Sequence, residues 1–398
     1  MGRFRRVPWY AVPLAIFAAT RLIDGVLIVL LARHQVPASA LPTDQLMPTL
    51  VDPHTYTHVI ANWDGQWYRA IAAHGYPRHL PVLHGVVQQN AWAFYPGFPA
   101  LVWVAMRTGV SFGVAASVVS LTAGGAAMCV LYRMIQDRSS DYLAMLTVLA
   151  LCCAPAAPAF QVAYTESLGL LLLLLSLVSL EQRQYGRMFL VGLALALTRP
   201  ITLPLAVVVA AQFLLRWRRR REEPFPTRER WTLAVISLAL LSAAGLWPLI
   251  TGVAVGDLSA YAKSQHAWRT IAGNRPDTWL TSMVHGAPLG RWFVVAVVVG
   301  LLVLVAARSR ERWTWGTRVW TVAYPVFILA ATPATSSVLR YLLLLGPAWW
   351  PATRIRSSEW STAQRVAVPV TVALVGLASQ VWWLSWYFLI LPSSHGFP

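Results

Sequence analysis

The run Asn62-Trp63-Asp64-Gly65-Gln66-Trp67-Tyr68 sets one carboxylate among aromatic and amide side chains, in a long polar stretch after the first hydrophobic span. A carboxylate in that position can take a proton from an attacking hydroxyl, which makes Asp64 a candidate general base. Trp63 flanks it, and Tyr68, four residues on, shares its helical face, where it can orient the carboxylate or a sugar. The same residues allow a plainer reading. Asp64 is then the N-cap of a short amphipathic helix on the membrane surface, with Trp63, Trp67, Ala70 and Ile71 as its apolar face, Gly75 at the left-handed C-terminal position and Pro77 as the stop. Both readings stay open here, because a capping carboxylate can still face a cavity.

Five further charged residues stand where charge is costly. Arg199 lies between two apolar runs at Leu197-Thr198-Arg199-Pro200, and an ionisable residue there usually faces a cavity. Arg340 lies at the end of a span. A planar guanidinium in a low-dielectric site stabilises a departing phosphate, and both arginines suit that task; for Arg340 the alternative is snorkelling to headgroups. Glu166 opens a leucine-rich run, as an acceptor-binding group, an arginine partner or a helix cap. Arg21 and Asp24, spaced i, i+3 in the first span, most simply neutralise each other, with an intramembrane functional reading behind that. Tyr95-Pro96-Gly97-Phe98-Pro99 reads as a rigid turn, and tryptophans such as Trp349, Trp350, Trp382, Trp383 and Trp386 as mostly membrane-belt anchors.

The elements that must hold these residues are membrane helices. Over 398 residues the chain is 57% hydrophobic and 12% charged, with a mean hydropathy of +0.55. That leaves too little polar surface for a soluble globule. The expected fold is an all-α polytopic bundle, one integral membrane domain over residues 1–398 with about 10–12 spans. Apolar stretches lie near 12–32, 110–132, 143–160, 166–181, 188–198, 201–215, 231–252, 291–307, 319–332, 340–352 and 365–390.

The net charge of +17 is almost wholly arginine, with Lys263 the lone lysine. Its cluster at Arg216, Arg218, Arg219, Arg220 and Arg221 directly follows an apolar run, as the positive-inside rule places cytoplasmic loops, so nucleic-acid binding is set aside. The arginine bias hints at a GC-rich, bacterial genome. Arg3, Arg5 and Arg6 ahead of the first span resemble a signal peptide, and Ala38-Ser39-Ala40 a cleavage site, but Arg21 and Asp24 and the distance argue for a retained helix. Residues 33–92 then form a first outer loop and 253–290 a second, in the plasma membrane with the site outside.

Charge parity requires 94–106, interrupted by Pro96 and Pro99, to be re-entrant or interfacial. The pair 188–198 and 201–215 dips in and returns. Breaks at that depth survive only against protein or a water-filled cavity, so they mark the site. The three cysteines sit in apolar runs and suggest neither disulfide nor metal. The nine histidines, all placed in outer segments, lack zinc spacing, and a divalent cation is the one cofactor left open.

Asn62-Trp63-Asp64-Gly65 through Tyr68, Ile71-Ala72, Gly75-Tyr76, Phe94-Tyr95-Pro96 and Phe98-Pro99 resemble the PIG-V mannosyltransferases of the GT-C superfamily. Ala163-Tyr164-Thr165-Glu166-Ser167, Leu197-Thr198-Arg199-Pro200 and Ser336-Ser337 with Arg340-Tyr341 follow in that family's order, so the resemblance covers most of the chain. It implies an inverting transfer of mannose from a polyprenyl-phosphate donor to a hydroxyl of a lipid-linked glycan or glycolipid at the non-cytoplasmic face. Asp64 takes the place of the acidic residue in the first outer loop, and inversion needs only that one base. Trp63, Tyr68, Tyr95, Tyr164, Glu166, Arg199, Arg340 and Tyr341 are the expected substrate-binding residues. The rival functions are transfer of another polyprenyl-linked sugar and transport of a lipid-linked sugar; the latter favours internal repeats, and no motif recurs.

Overall fold

A computed structural model describes residues 8–36, 54–269, 278–284, 292–300, 315–347 and 357–391. The expectations for Ala38-Ser39-Ala40, Trp349, Trp350, His285 and His395 lie outside the described residues, as do parts of both outer loops.

Helix dominates. In chain order the elements are α1 (Ala11–Ala32), α2 (Tyr56–Val59), α3 (Asp64–His74), β1 (Val82–Leu83), β2 (Val86–Val87), α4 (Gly97–Met106), α5 (Phe112–Gln136), α6 (Asp141–Cys152), α7 (Glu166–Glu181), α8 (Tyr185–Ala196) and α9 (Thr202–Arg218). They continue with α10 (Thr227–Ala243), α11 (Leu246–Val255), α12 (Ala260–Arg269) and α13 (Trp279–Val284). The last are α14 (292–300), α15 (Trp315–Ala331), α16 (Val338–Tyr341) and α17 (Thr362–Trp383). The two short strands form an antiparallel hairpin, turned by His84 and Gly85 at φ 49° and 78°, as a tight type I′ turn requires.

Among the described residues α1, α5 and Thr362–Phe388 are long and apolar enough to cross a membrane, and α10 with α11 makes a fourth such stretch bent by 44°. α4, 10 residues long, reaches only about 15 Å, half the hydrocarbon thickness. The break between α8 and α9 falls at the expected Thr198-Arg199-Pro200, since proline has no N–H to continue α8 and disfavours helix before it.

α7 is the hub. Its sequence is apolar all round, the signature of a helix with no solvent face. Leu170 and Leu174 pack into a core shared with α1, α5, α6 and the C-terminal turn. Leu173, Leu177 and Leu180 pack into a second core with α8, α9, α10 and α15. With lipid as apolar as leucine, this close packing rather than transfer from water holds the bundle together.

Several expectations need correction. Arg216, expected only as one of a topological arginine cluster, has a structural role of its own. It is buried, pairs with Glu223 and Glu229, and donates to the Pro224 carbonyl at 2.7 Å, closing the α9–α10 turn. Trp383 is fully buried, stacked on Phe388, so it is no belt anchor, whereas Trp382 and Trp386 are exposed. The greasy face of α3 is covered by protein: Trp67, Tyr68, Ile71 and Ala72 pack with Phe98 and Val102 of α4.

Candidate active site

Two helix starts create the site. α5, α6 and α17 begin with a serine side chain capping the first turn. α3 and α7 do not: each opens on its carboxylate, Asp64 or Glu166, and neither has a side-chain cap. This corrects the capping readings of both residues. A carboxylate at the first helical position gains from the helix dipole and stays available for tertiary partners.

The two starts are tied together upstream. The Ala163 N–H donates to the Ile60 carbonyl at 2.9 Å, and the Tyr164 hydroxyl donates to the Asn62 carbonyl at 3.3 Å. Trp63 turns the chain into α3 at φ 55°, a region costly for a bulky residue and tolerated where surrounding bonds over-determine it. Here its indole N–H donates to the Phe388 carbonyl at 2.8 Å, and the Asn62 amide donates to Gln35 Oε1 at 2.8 Å.

Two arginines arrive from distant segments. Arg199 comes from the α8–α9 break, and Arg340 from α16, which α15 anchors through a hydrogen bond from the Tyr324 hydroxyl to the Tyr341 carbonyl at 3.0 Å. Arg340 Nη1 lies 2.9 Å from Asp64 Oδ2 and 3.3 Å from Glu166 Oε1. Arg199 Nη1 lies 3.0 Å from that same Glu166 oxygen and donates to Thr165 Oγ1 at 2.9 Å. The result is a chain, Asp64–Arg340–Glu166–Arg199, whose four formal charges cancel. Arg340 also lies 4.5 Å from the Tyr164 ring centre, and Arg199 lies 5.6 Å from that of Tyr341, so aromatic faces support both cations. Arg340 is thus buried and paired, which corrects the snorkelling reading.

Glycine makes this geometry possible at two places. A Cβ on Gly169, one turn into α7, would sit 2.8 Å from Arg199 Cδ, and a Cβ on Gly97 would sit 2.5 Å from Thr198 Oγ1 and 2.8 Å from the Leu197 carbonyl oxygen. The first lets Arg199 lie across α7. The second lets the start of α4 abut the α8–α9 break, where the Gly97 N–H donates to the Leu197 carbonyl at 2.7 Å.

A cavity of about 980 Å³ opens over the chain, lined by Trp63, Asp64, Tyr68, Tyr95, Glu166, Arg199, Arg340 and Tyr341 among others. Of the residues expected from sequence only Tyr164 is not at its surface; it lies beneath Arg340. Asp64 is 30% exposed against 1% for Glu166, so it is the carboxylate a substrate can reach. Burial, foremost, holds the Tyr68 and Tyr95 hydroxyls well above the ordinary phenol range, keeping both protonated.

Sequence reasoning missed the opposite wall. Tyr261, Gln265 and Trp268 of α12 face the cavity, with Gln265 Nε2 3.2 Å from the Tyr261 hydroxyl and Trp268 edge-on to Trp67 at 5.1 Å. Their i, i+4, i+7 spacing was the available signal. Among the described residues no three His, Cys, Asp or Glu side chains are grouped to hold a metal ion. Asp64 and Glu166 do not fit a divalent cation, because Arg340 bridges them.

No protein-family model and no curated protein matches the sequence. Solved structures do match. ArnT from Cupriavidus metallidurans, bound to undecaprenyl phosphate, aligns with a TM-score of 0.51 at 16% identity, over 91% of this chain and 63% of that one. The archaeal oligosaccharyltransferase AglB from Archaeoglobus fulgidus, in complex with an inhibitory peptide and a dolichol-phosphate, aligns at 0.46 and 11% identity, over 96% of this chain and 56% of that one. This chain therefore spans under two thirds of the length of either. The likeness to ArnT shows the fold: an all-α, GT-C-like bundle, in which α1, α5 and Thr362–Phe388 are long and apolar enough to cross a membrane.

Proposed function

We propose that the protein is an inverting glycosyltransferase that moves a mannosyl residue from a polyprenyl-phosphate carrier to a hydroxyl of a lipid-linked glycan or glycolipid. The PIG-V-like motifs of the sequence support mannose, and the GT-C fold supports a lipid-phosphate donor. In this reading the chain is one integral, multi-pass domain of a bacterial plasma membrane, with its cavity on the extracytoplasmic side.

One observation carries the proposal: Asp64, the accessible carboxylate of the ion chain, lies 2.9 Å from Arg340, which Glu166 links to Arg199, and all four residues line one cavity. The acceptor oxygen attacks the anomeric carbon while its proton passes to Asp64, and the bond from that carbon to the phosphate oxygen breaks with its electron pair leaving on phosphate. Arg340 and Arg199 meet the charge that develops there. Glu166, buried and held by both arginines, is not placed to act as a nucleophile, so a single displacement follows.

Asp64→Asn tests the assignment. Transfer from a labelled polyprenyl-phosphate mannose should fall by roughly 10²–10⁴-fold, the usual contribution of a general base, with the thermal unfolding profile in detergent unchanged. Normal turnover by this variant refutes the assignment, and wild-type turnover only with a different carrier-linked sugar would replace mannose.

A further inference from the structure

We infer that the Asp64–Arg340 pair is a latch opened by the donor's phosphate, so that the base is released only once a donor is seated. The inference rests on the reading of the cavity as a phosphosugar transfer site.

The resting contact puts two proposed tasks in conflict. Arg340 Nη1 is the group that holds Asp64 Oδ2, at 2.9 Å. A carboxylate oxygen engaged by a guanidinium is poorly placed to receive the acceptor's proton, and a guanidinium engaged by two carboxylates is not fully available to phosphate. Both arginines nevertheless line the cavity, and no described residue takes a hydrogen bond from the Nη2 of either. The Nε atoms of both, and Glu166 Oε2, are buried without a hydrogen-bond partner. The arginine pair thus keeps donor capacity that the protein alone does not use.

The two carboxylates respond differently to an arriving anion. Glu166 is sealed in the wall and grips both arginines, so it stays and holds the pair together as a cradle. Asp64 is partly exposed and touches a single guanidinium nitrogen. A phosphate drawn to Arg340 repels the neighbouring Asp64 carboxylate and competes for the same cation, so Asp64 is the group that yields. It swings toward the cavity, still stabilised by its place at the first position of α3.

Charge closes the cycle. The donor is a phosphodiester with one negative charge, and the departing lipid phosphate is a monoester approaching two. As phosphate gains that charge, Asp64 loses its own by taking the acceptor's proton, so the total does not change. When Asp64 sheds the proton to solvent it again competes for Arg340 and helps expel the product. Donor binds before acceptor, and Asp64 acts as an internal phosphate mimic between turnovers.

Binding of farnesyl phosphate, a short lipid monophosphate, to the full-length protein in detergent tests the latch, with farnesol as the uncharged control. Removing the competing carboxylate in Asp64→Asn, and independently in Asp64→Ser, should tighten farnesyl phosphate binding about twofold to fivefold, the effect of one partly exposed ion pair. Asp64→Glu, which keeps the competitor, should bind near the wild-type value, and farnesol should not discriminate among them. Unchanged or weaker farnesyl phosphate binding in both Asn and Ser variants overturns the latch. A variant that is inactive in transfer but unchanged in phosphate affinity removes only the latch, whereas Asp64→Asn protein that still transfers removes the proposed base itself.

Discussion

Arg21 and Asp24 are buried as deeply as Glu166 and Arg340, yet the two clusters behave as opposites. The α1 pair is sealed inside protein: Arg21 Nη1 lies 2.8 Å from Asp24 Oδ2 and also donates to the Ala157 carbonyl, while Nη2 donates to the Cys152 carbonyl at 2.8 Å; Arg21 Nε and Asp24 Oδ1 have no hydrogen-bond partner there. Its bonds fasten α1 to the turn after α6, and it lines no part of the large cavity. The chain through Arg340 is open: it ends on a partly exposed carboxylate, and its four charged residues line the cavity. Burial alone therefore does not mark a functional charge in this bundle. What separates the clusters is access to a cavity, since both hold buried polar atoms without a partner.

That contrast can be broken experimentally. Arg340→Ala strikes the open cluster hardest. It leaves Glu166 with one partner and Asp64 with none, and should abolish detectable transfer while costing about 3–5 kcal/mol of stability, as loss of one partner from a buried pair does. Arg340→Lys, which keeps the charge but not the planar fork, should restore stability more than turnover. Asp24→Asn should also destabilise, by roughly 3 kcal/mol, with the rate per folded molecule within about twofold of wild type. The double change Arg21→Leu, Asp24→Leu should recover most of that loss, since a buried pair is often replaceable by apolar packing. A selective drop in turnover for Asp24→Asn, with unfolding unaffected, would erase the distinction between the clusters.

Smaller changes sharpen it. Gly169→Ala pushes on Arg199 without touching a charge, and should raise the donor KM about tenfold, a displacement worth about 1–2 kcal/mol, with the acceptor KM steady. The mildest concerns the α12 wall. Hydrogen bonds from Lys263 and Ser259 hold the Asp257 carboxyl at about 2, below its ordinary 3.8. These contacts are therefore intact above about pH 4 and lost as pH falls toward about 2. Tryptophan fluorescence should show a step in that window for wild type that Asp257→Asn lacks, and the variant should bind acceptor about twofold less tightly.

The sequence made much of this legible, for identifiable reasons. The run beginning at Glu166 is leucine-rich over 16 residues, so composition and length located α7 to the residue. Pro200 announced the α8–α9 break. Charge cost in an apolar setting selected Arg199, and aromatic flanks selected Asp64. Other features lay beyond local reading. The helix of Asp64 begins one residue earlier than a capping pattern suggests, with Trp63 turning the chain into it at a positive φ while its indole is held by the distant Phe388 carbonyl. Arg340 looked like a headgroup contact because its partners lie in remote segments. Arg216 looked like a topological charge because the carboxylates that bury it close a turn whose shape the sequence does not spell out. α12 was missed because its cavity face alternates polar and aromatic residues within an expected loop.

Asp64 and Arg340 are separated by 276 positions. At the usual pace of translation, about 5–20 residues per second, on the order of 10–60 s passes between synthesis of the first and arrival of the second. During that interval the growing chain holds its carboxylates without Arg340, and the ion chain can close only late in biogenesis. On the proposed mechanism, competence is thereby coupled to completion: nascent fragments that stop before α16 carry Asp64 but lack Arg340, one of the two guanidiniums assigned to the lipid phosphate.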